Sequence, residues 1–246
     1  MGKNLITQKR GRGTMTYTAN THRSSAVGDL QYRHYDDLEK KGVLKAVVKE
    51  IHHSSIHSAP ILELLYENGD KSFLSAPEKI RVNDVIQAGA KAPIEIGNIV
   101  PLKNVPEGTL ISNIESTPGD GGSFCKSAGT VARVVVSTAT SITVELPSKK
   151  KREFNPECRA TIGIIAGSGK QDKPWLKAGK KHHYMRAKGH LYPHTSGVAM
   201  NAVNHPFGSG RGRHAGKSMT PPRFAPPGRN VGRLHARKTG RGGKKG

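Results

Sequence analysis

The sequence predicts an all-β protein: two small closed barrels in the centre, with long irregular basic extensions at the N- and C-termini. Short β-type runs with Gly-rich connections fill residues 36–169, which suits two small barrels better than one sandwich. Lys+Arg and Asp+Glu balance there at 16 each, whereas both ends are basic. A neutral centre with an apolar pattern indicates one folded body. Its basic, Gly- and Pro-rich ends are not expected to be part of that body's core.

The first half of the centre contains three β-type runs. Residues 43–51 (VLKAVVKEI) and 61–66 (ILELLY) are rich in β-branched and large apolar side chains. Asn68-Gly69 then marks a tight turn into residues 71–76 (KSFLSA). Two such runs joined by Asn-Gly predict a β-hairpin.

Four further β-type runs follow at short spacing. They are separated by the connections PGDGG, TAT and KKKREFNPE, and they cover residues 108–116, 129–137, 141–147 and 159–165. No stretch holds a long amphipathic helical pattern, and only a turn is expected near residues 77–84. The centre is therefore predicted to consist of strands and turns.

The boundary between the two barrels is predicted near residues 91–98 (KAPIEIGN). Closing a sheet into a barrel removes strand edges, which matters in a small domain with little core. The predicted order is a basic N-terminal extension, a first barrel, a second barrel and a basic C-terminal extension. These cover residues 1–35, 36–95, 96–169 and 170–246, respectively.

The net charge of +22 predicts a polyanionic partner. Residues 170–246 carry 18 Lys+Arg and one acid, Asp172, with 13 Gly and 7 Pro. Such a segment cannot bury enough apolar surface to offset its ordering entropy, so we expect it to fold on RNA rather than on itself. Its Arg, Lys and His alternate with Tyr, Phe, Met and Pro, a mixture suited to phosphates and stacked bases.

Enzyme motifs and metal sites are not supported by the residues. Gly169-Lys170 follows an apolar run, but Ile164 stands where a phosphate-binding loop needs its first glycine, and Gln171 stands where it needs Ser or Thr. Similarly, Gly216-Lys217-Ser218 has Arg211 in place of the first glycine. The histidines 52, 53 and 57 are close in sequence but lack a recognisable ligand set, and we expect solvated or RNA-facing rings.

The two cysteines, Cys125 and Cys158, form no CxxC pair and are expected to be buried small residues. No apolar run approaches the roughly 20 residues that span a bilayer, and the N-terminus has no apolar stretch of the signal-peptide type. The sequence therefore predicts a soluble, cytoplasmic protein with no membrane partner and no small-molecule substrate.

Three stretches resemble the signature sequences of the L-two family of large-subunit ribosomal proteins. They are GNIVPLKNVPEGTLISNIESTPGDGGSFCKSAGT, ECRATIG and SGVAMNAVNHPFGSGRGRHAGK, and the resemblance covers most of residues 40–235. It implies an OB-fold barrel followed by an SH3-like barrel, with extensions that thread into large-subunit ribosomal RNA near the peptidyl transferase region. It also implies support of subunit association, tRNA binding and peptide-bond formation, with neighbouring ribosomal proteins and the small subunit as further partners.

The resemblance assigns roles to particular residues. Lys126 in CKSAGT occupies the place of an RNA-contacting basic residue, and His205 in VNHPFG matches the histidine nearest the peptidyl transferase region. Where bacterial relatives read Asp-His-Pro-His, this chain has Asn204 and Phe207, so no acid orients the imidazole and a proton-transfer role is weakened. The RNA-binding residues predicted in all are His57, Lys126, Arg186, His205, Arg211, Arg213, Lys217, Arg223 and Arg229.

His57 stands where many relatives have arginine, which predicts a weaker or pH-dependent RNA contact there. The NHPFG text resembles archaeal or eukaryotic members more than bacterial ones. No catalytic residue, metal or cofactor is predicted, although structural Mg²⁺ could bridge the tails to ribosomal RNA. The alternatives are a basic RNA-modifying or RNA-processing enzyme, which would need clustered acids or a cofactor loop in the β centre, and a chromatin-like DNA binder, which would prefer duplexes.

Overall fold

In the computed structural model, the chain separates into two compact units, one of residues 21–176 and the other of residues 1–20 together with 177–246. The structure describes residues 2–19, 21, 29–210, 212 and 214–219. The first of these units contains all ten strands and the second contains the longer helix.

The strands confirm the all-β prediction. They are β1 (Leu44–His52), β2 (Ile61–Tyr66), β3 (Lys71–Ser75), β4 (Val85–Ala88), β5 (Ile99–Pro101), β6 (Leu110–Ser112), β7 (Ala132–Ser137), β8 (Ile142–Glu145), β9 (Lys151–Phe154) and β10 (Arg159–Ile162). The α-helices are α1 (Asp37–Lys41) and α2 (Ala178–Ala187), and short 3-10 helices cover Ile6–Lys9, Leu102–Asn104, Ser168–Lys170 and Gly197–Ala199.

All ten strands form one continuous sheet in the order β3-β2-β1-β4-β5-β10-β6-β7-β8-β9. The pairs are antiparallel except β4 with β5, which is parallel and pairs Ala88 with Ile99. β4 and β5 therefore join the strands of the first barrel to those of the second. Bulges shift the register of β1 between Val48 and Glu50 and of β7 between Val134 and Val136. Bulges of this kind bend a strand and increase its twist.

The predicted hairpin of the first barrel is confirmed. β1 alternates buried and solvent-facing residues from Leu44 to Val48, as its sequence pattern predicts for a half-buried strand. β2 and β3 pair from Ile61 opposite Ser75 to Leu65 opposite Lys71. Gly69 lies in the turn at φ 87°, a conformation that glycine adopts without steric cost.

Two large hydrophobic cores lie on this sheet, as expected for an OB-fold barrel followed by an SH3-like barrel, and a small third cluster consists of Ala59, Ala128 and Ile165. The first is built mainly from β1 to β4, with Ile99 of β5, and includes Tyr32, Val48, Leu64 and Ile86. The second is built from β5 to β10 and consists of the buried residues Ala92, Val100, Leu102, Val105, Ile111, Ile114, Ala132, Val134, Ile142, Val144, Phe154, Cys158, Ala160 and Ile162. Cys158 is fully buried and Cys125 is partly buried, and both are free.

The structure differs from the sequence prediction at β4, β5 and β9. Residues 149–157 (KKKREFNPE) were expected to be a connection, yet Lys151–Phe154 form β9, which pairs with β8 from Glu145 to Ile142. β9 is the last strand of the sheet, and its first three residues are exposed. An edge strand can carry charged residues because one of its sides faces solvent.

The helices were not expected from the sequence. α1 begins after Asp36, whose carboxylate accepts a hydrogen bond from the backbone N–H of Glu39, so an N-cap starts this single short turn of helix. α2 has no buried residue, which explains why it lacks the apolar periodicity that reveals a helix in a sequence. No helix in the described residues is long and apolar enough to cross a membrane.

A buried ion network lies at the centre of the unit of residues 21–176. Arg159 on β10 has a side chain 2 % exposed and pairs with Glu39 and Glu115, each at 2.8 Å. Glu39 comes from α1 before the first barrel, whereas Glu115 follows β6 in the second. Arg33 also pairs with Glu39, at 3.3 Å. The guanidinium of Arg159 thus joins two carboxylates, and one of them, Glu39, lies 120 positions away from it in the sequence.

Attraction among these groups favours the charged form of Arg159, whereas burial raises the pKa of the Glu39 carboxyl. Burial opposes the charge of Arg159, but hydrogen bonds and attraction from Glu115 and Glu39 outweigh it and raise the pKa of the guanidinium. Its carbon also lies 5.1 Å from the ring centroid of Tyr32 and 4.7 Å from that of Tyr35. Both charged and aromatic neighbours therefore stabilise the same cation.

Candidate RNA interface

The cations of this protein are unequally supplied with acidic partners. Every ion pair among the described residues lies between residues 33 and 159. Residues 29–176 contain 19 Lys+Arg and all 18 acidic residues, whereas the rest of the chain contains 21 Lys+Arg and no acid. Outside residues 29–176 the positive charge is therefore uncompensated within its own segments.

α2 is a basic helix without an apolar face. It presents Lys180, Lys181 and Arg186 together with two adjacent histidines, His182 and His183. Lys180, both histidines and Arg186 are exposed. A helix that is polar all round gains little by packing on protein, so its charged surface is available to a polyanion.

Aromatic rings accompany the cations near α2. The ammonium of Lys188 lies 4.4 Å from the ring centroid of Tyr184, and that of Lys181 lies 5.4 Å from the ring centroid of Tyr192. The rings of His182 and His183 meet edge to face with centroids 5.5 Å apart. Of the cations on α2, only Arg186 was predicted from the sequence, although the run Lys180-Lys181 in a segment without acids also indicated an RNA contact.

His205 lies in a tight turn of residues 201–208. The backbone carbonyl of Asn201 accepts from the backbone N–H groups of Asn204, at 2.9 Å, and His205, at 3.2 Å. The N–H of Gly208 donates to the carbonyl of His205 at 2.9 Å. Backbone hydrogen bonds on both sides therefore fix this residue, while Phe207 beside it is buried.

Lys126 differs from a solvated loop lysine. Its ammonium donates to the backbone carbonyl oxygens of Leu30 and Gly122, the second at 3.0 Å. Burial lowers the pKa of this lysine, and the nearby charges of Asp120 and Asp29 oppose the change. An ammonium has three donors, so one remains for an RNA acceptor.

Two histidines of the first barrel, His52 and His57, have protein partners. Nδ1 of His57 and the hydroxyl of Ser54 are 2.9 Å apart, and His57 is partly buried. His52 is hydrogen-bonded through Nε2 to Glu63 at 3.0 Å, and this bond lowers the pKa of the Glu63 carboxyl. The expectation of a solvated or RNA-facing ring therefore needs correction for His52. The pairing of β1 with β2 places its ring beside the Glu63 carboxylate, and the sequence alone does not reveal this contact.

One group of potential metal ligands occurs in the described residues. Ligand atoms of Glu50, His52 and Glu63 lie within 4.8 Å of one another. The Nδ1 of His52 is 3.7 Å from Glu50 and its Nε2 faces Glu63, while Lys71 lies 3.5 Å from Glu63. The two ring nitrogens face different carboxylates, and Glu63 has a hydrogen bond with His52 and an ion pair with Lys71, so these contacts account for the group without a metal ion.

The remaining predicted RNA-binding residues belong to the C-terminal segment. Lys217 is exposed. Four others, Arg211, Arg213, Arg223 and Arg229, lie outside the described residues. The structure thus gives a setting for His57, Lys126, Arg186, His205 and Lys217, and the RNA-binding role of all nine residues stays a prediction.

Comparisons with known proteins match nearly the whole chain. A family model described as "Ribosomal Proteins L2, RNA binding N-terminal domain" matches residues 3–88, and "Ribosomal Proteins L2, C-terminal domain" matches residues 95–224. A protein of Methanobrevibacter smithii named large ribosomal subunit protein uL2 is 49% identical over 240 residues, covering 98% of this chain and 99% of its own length. Proteins of the same name from Methanopyrus kandleri and Haloarcula marismortui are 46% and 45% identical, over 100% and 99% of both chains.

Proposed function

The chain belongs to the ribosomal protein L2 family, in its archaeal form, and from this premise we propose that it is a structural, RNA-binding constituent of the large ribosomal subunit. It is not an enzyme, and its place of action is the ribosome in the cytoplasm. The alternative of an RNA-modifying or RNA-processing enzyme is not favoured, because the relatives are named as ribosomal proteins.

One observation carries the proposal: residues 29–176 form a charge-balanced scaffold, and the cationic segments outside these residues contain no acid. In the scaffold, Arg159 and Arg33 are occupied by buried and partly buried carboxylates, so these cations are unavailable to RNA. In the segments, lysines lie beside tyrosines and histidines on a helix without a buried face. Cations neutralise phosphates, and exposed rings offer stacking surfaces for unpaired bases, which suits irregular RNA better than duplex DNA.

The four predicted segments divide this work. The barrels of residues 36–95 and 96–169 act as a scaffold, and the extensions of residues 1–35 and 170–246 bind large-subunit ribosomal RNA. Family resemblance supports a location near the peptidyl transferase region, with contributions to subunit association, tRNA binding and peptide-bond formation. Neighbouring ribosomal proteins and the small subunit are further partners, and structural Mg²⁺ ions between the extensions and phosphates fit their high positive charge.

Sedimentation of cell extracts tests the proposed function. We expect the native protein to co-sediment with large ribosomal particles in high salt and to be freed by ribonuclease. Release of the protein from the particles by salt alone, with no effect of ribonuclease, would contradict its role as a structural constituent of the subunit. Competition between ribosomal RNA fragments and duplex DNA at fixed salt then separates RNA binding from general attraction to polyanions.

Lys126 gives a residue-level prediction. Lys126→Glu should impair incorporation into large particles, at least severalfold more than Lys149→Glu in the exposed lysine run, because its ammonium is held at a fixed place by two backbone carbonyls. Quantitative mass spectrometry of purified particles measures incorporation. Urea unfolding of each free variant controls for a loss of folding, and equal incorporation of the two folded variants would show that only bulk charge counts.

A further inference from the structure

The imidazole of His205 is held in one tautomer by the backbone of its own turn. The backbone N–H of Phe207 donates a hydrogen bond to Nδ1 at 3.0 Å. A backbone amide nitrogen can only donate, so Nδ1 must carry the lone pair. The proton of the neutral ring is therefore on Nε2.

The ring is also fixed in position. A Cβ atom built on Gly197 would lie 2.4 Å from Cε1 and Nδ1 of His205 and 2.6 Å from Nε2, so only glycine lets the ring approach this backbone. The ring of Phe207, which is itself buried, lies with its centroid 5.0 Å from that of the imidazole. Contacts with Gly197 and Phe207 thus leave the ring little freedom to turn.

The Nε2–H group has no hydrogen-bond partner among the residues that the structure describes. A polar N–H on a ring that its own turn holds in place can bind an acceptor with little further ordering of the side chain. The surrounding segment contains no acid, so this chain offers no local carboxylate to accept that bond.

We propose that His205 binds RNA as a neutral hydrogen-bond donor, through Nε2–H to an oxygen acceptor of the RNA, and that Gly197 and the Phe207 amide are its positioning groups. This inference rests on the proposed function and adds the chemistry of one contact. An acidic partner of the imidazole would accept from Nδ1–H and leave a lone pair on Nε2. Here the partner of Nδ1 is a donor, so Nε2 carries the proton, donates, and is not available as a base.

Two substitutions separate this donor from the turn that holds it. In His205→Asn, the side-chain oxygen can still accept from the N–H of residue 207, as in an Asx turn, but no donor reaches the position of Nε2. In His205→Gln, the longer side chain can accept from the same N–H and also place its NH₂ group near that position. Asparagine is therefore the matched control that retains the turn.

Binding of the full-length chain to deproteinised large-subunit ribosomal RNA, at fixed salt and Mg²⁺, measures the contact. We expect His205→Gln to bind within about twofold of the unsubstituted chain and His205→Asn to bind about tenfold more weakly, the usual effect of one lost hydrogen bond. A glutamine variant as weak as the asparagine variant would overturn the inference alone. An unsubstituted chain that binds this RNA no better than duplex DNA would overturn the proposed function, and this inference with it.

Two further readouts distinguish a neutral donor from a cation and from a merely structural ring. A neutral group releases no counterion. The slope of the logarithm of the binding constant against the logarithm of the salt concentration should therefore be unchanged in His205→Asn, whereas loss of a cation would reduce its magnitude by about one. Nitrogen NMR of the full-length chain, with His205 assigned from its absence in the glutamine variant, should show the proton on Nε2. A shallower slope, or a proton on Nδ1, would contradict the proposal.

Discussion

Replacing Arg159 with methionine will destabilise the folded chain by about 3 to 5 kcal/mol. The substitution removes the guanidinium that pairs with both Glu39 and Glu115, which are 1% and 0% exposed, so that Glu39 keeps only its longer pair with Arg33 and Glu115 keeps only backbone N–H donors. Burying a carboxylate without a partner costs far more than an exposed ion pair contributes. The free energy of unfolding is measured by urea denaturation of the full-length chain without RNA, with circular dichroism as the signal.

Arg133→Met is the matched control for Arg159→Met. Arg133 is exposed on β7, so its loss should change the free energy of unfolding by less than about 0.5 kcal/mol. Combining Arg159→Met with Glu39→Gln and Glu115→Gln should recover part of the lost stability, because no uncompensated charge remains buried. An Arg159 variant as stable as the Arg133 variant would mean that the network contributes nothing to the fold.

A fragment of residues 29–176 will keep its fold and lose RNA affinity by a factor on the order of 10³ or more at moderate salt. The start at residue 29 retains Tyr32, which is buried in the first core, and Arg33, which pairs with Glu39. The fragment lacks 21 cations and keeps a nearly balanced set of charges. If even about 8 of those cations meet phosphates, their loss removes most of the counterion release that drives binding.

Filter binding to ribosomal RNA over a range of salt concentrations measures this loss, and circular dichroism with limited proteolysis verifies the fold of the fragment. A chain truncated after residue 219 has a charge between those of the fragment and the full-length chain, because residues 177–219 and 220–246 carry eight Lys+Arg each. It serves as the intermediate in this comparison. The fragment should show a much shallower salt dependence than the intermediate. A folded fragment that binds as tightly as the full-length chain would contradict the division between scaffold and extensions.

Strand prediction succeeded where the pattern was local. β1, β2 and β3 are long enough to show runs of β-branched and apolar residues, and the Asn68-Gly69 turn has its own signature. β4 and β5 lie outside the β-type runs found in the sequence, and they are strands because they pair with neighbours distant in the chain. β9 reads as a charged connection and is a strand because β8 supplies its hydrogen bonds.

The candidate interface was likewise only partly readable. The concentration of cations in acid-free segments follows directly from the sequence, and so does the family, through the text around Lys126 and His205. The helical form of Ala178–Ala187 could not be read, because the helix buries no residue and has no apolar stripe. The two carbonyls that hold the ammonium of Lys126 come from backbone positions that carry no side-chain signal.

The sequence by itself determined the fold class, the family and the division into a neutral scaffold and basic extensions, because charge and short-range hydrophobic pattern are properties of each segment alone. The tertiary structure decided which charges are buried and which ring nitrogen of His205 donates a hydrogen bond. Glu39 stands among charged residues in the sequence and would be read as exposed, yet it is buried against Arg159. The tautomer of His205 likewise depends on the direction of one backbone N–H, a geometric fact that no residue type specifies.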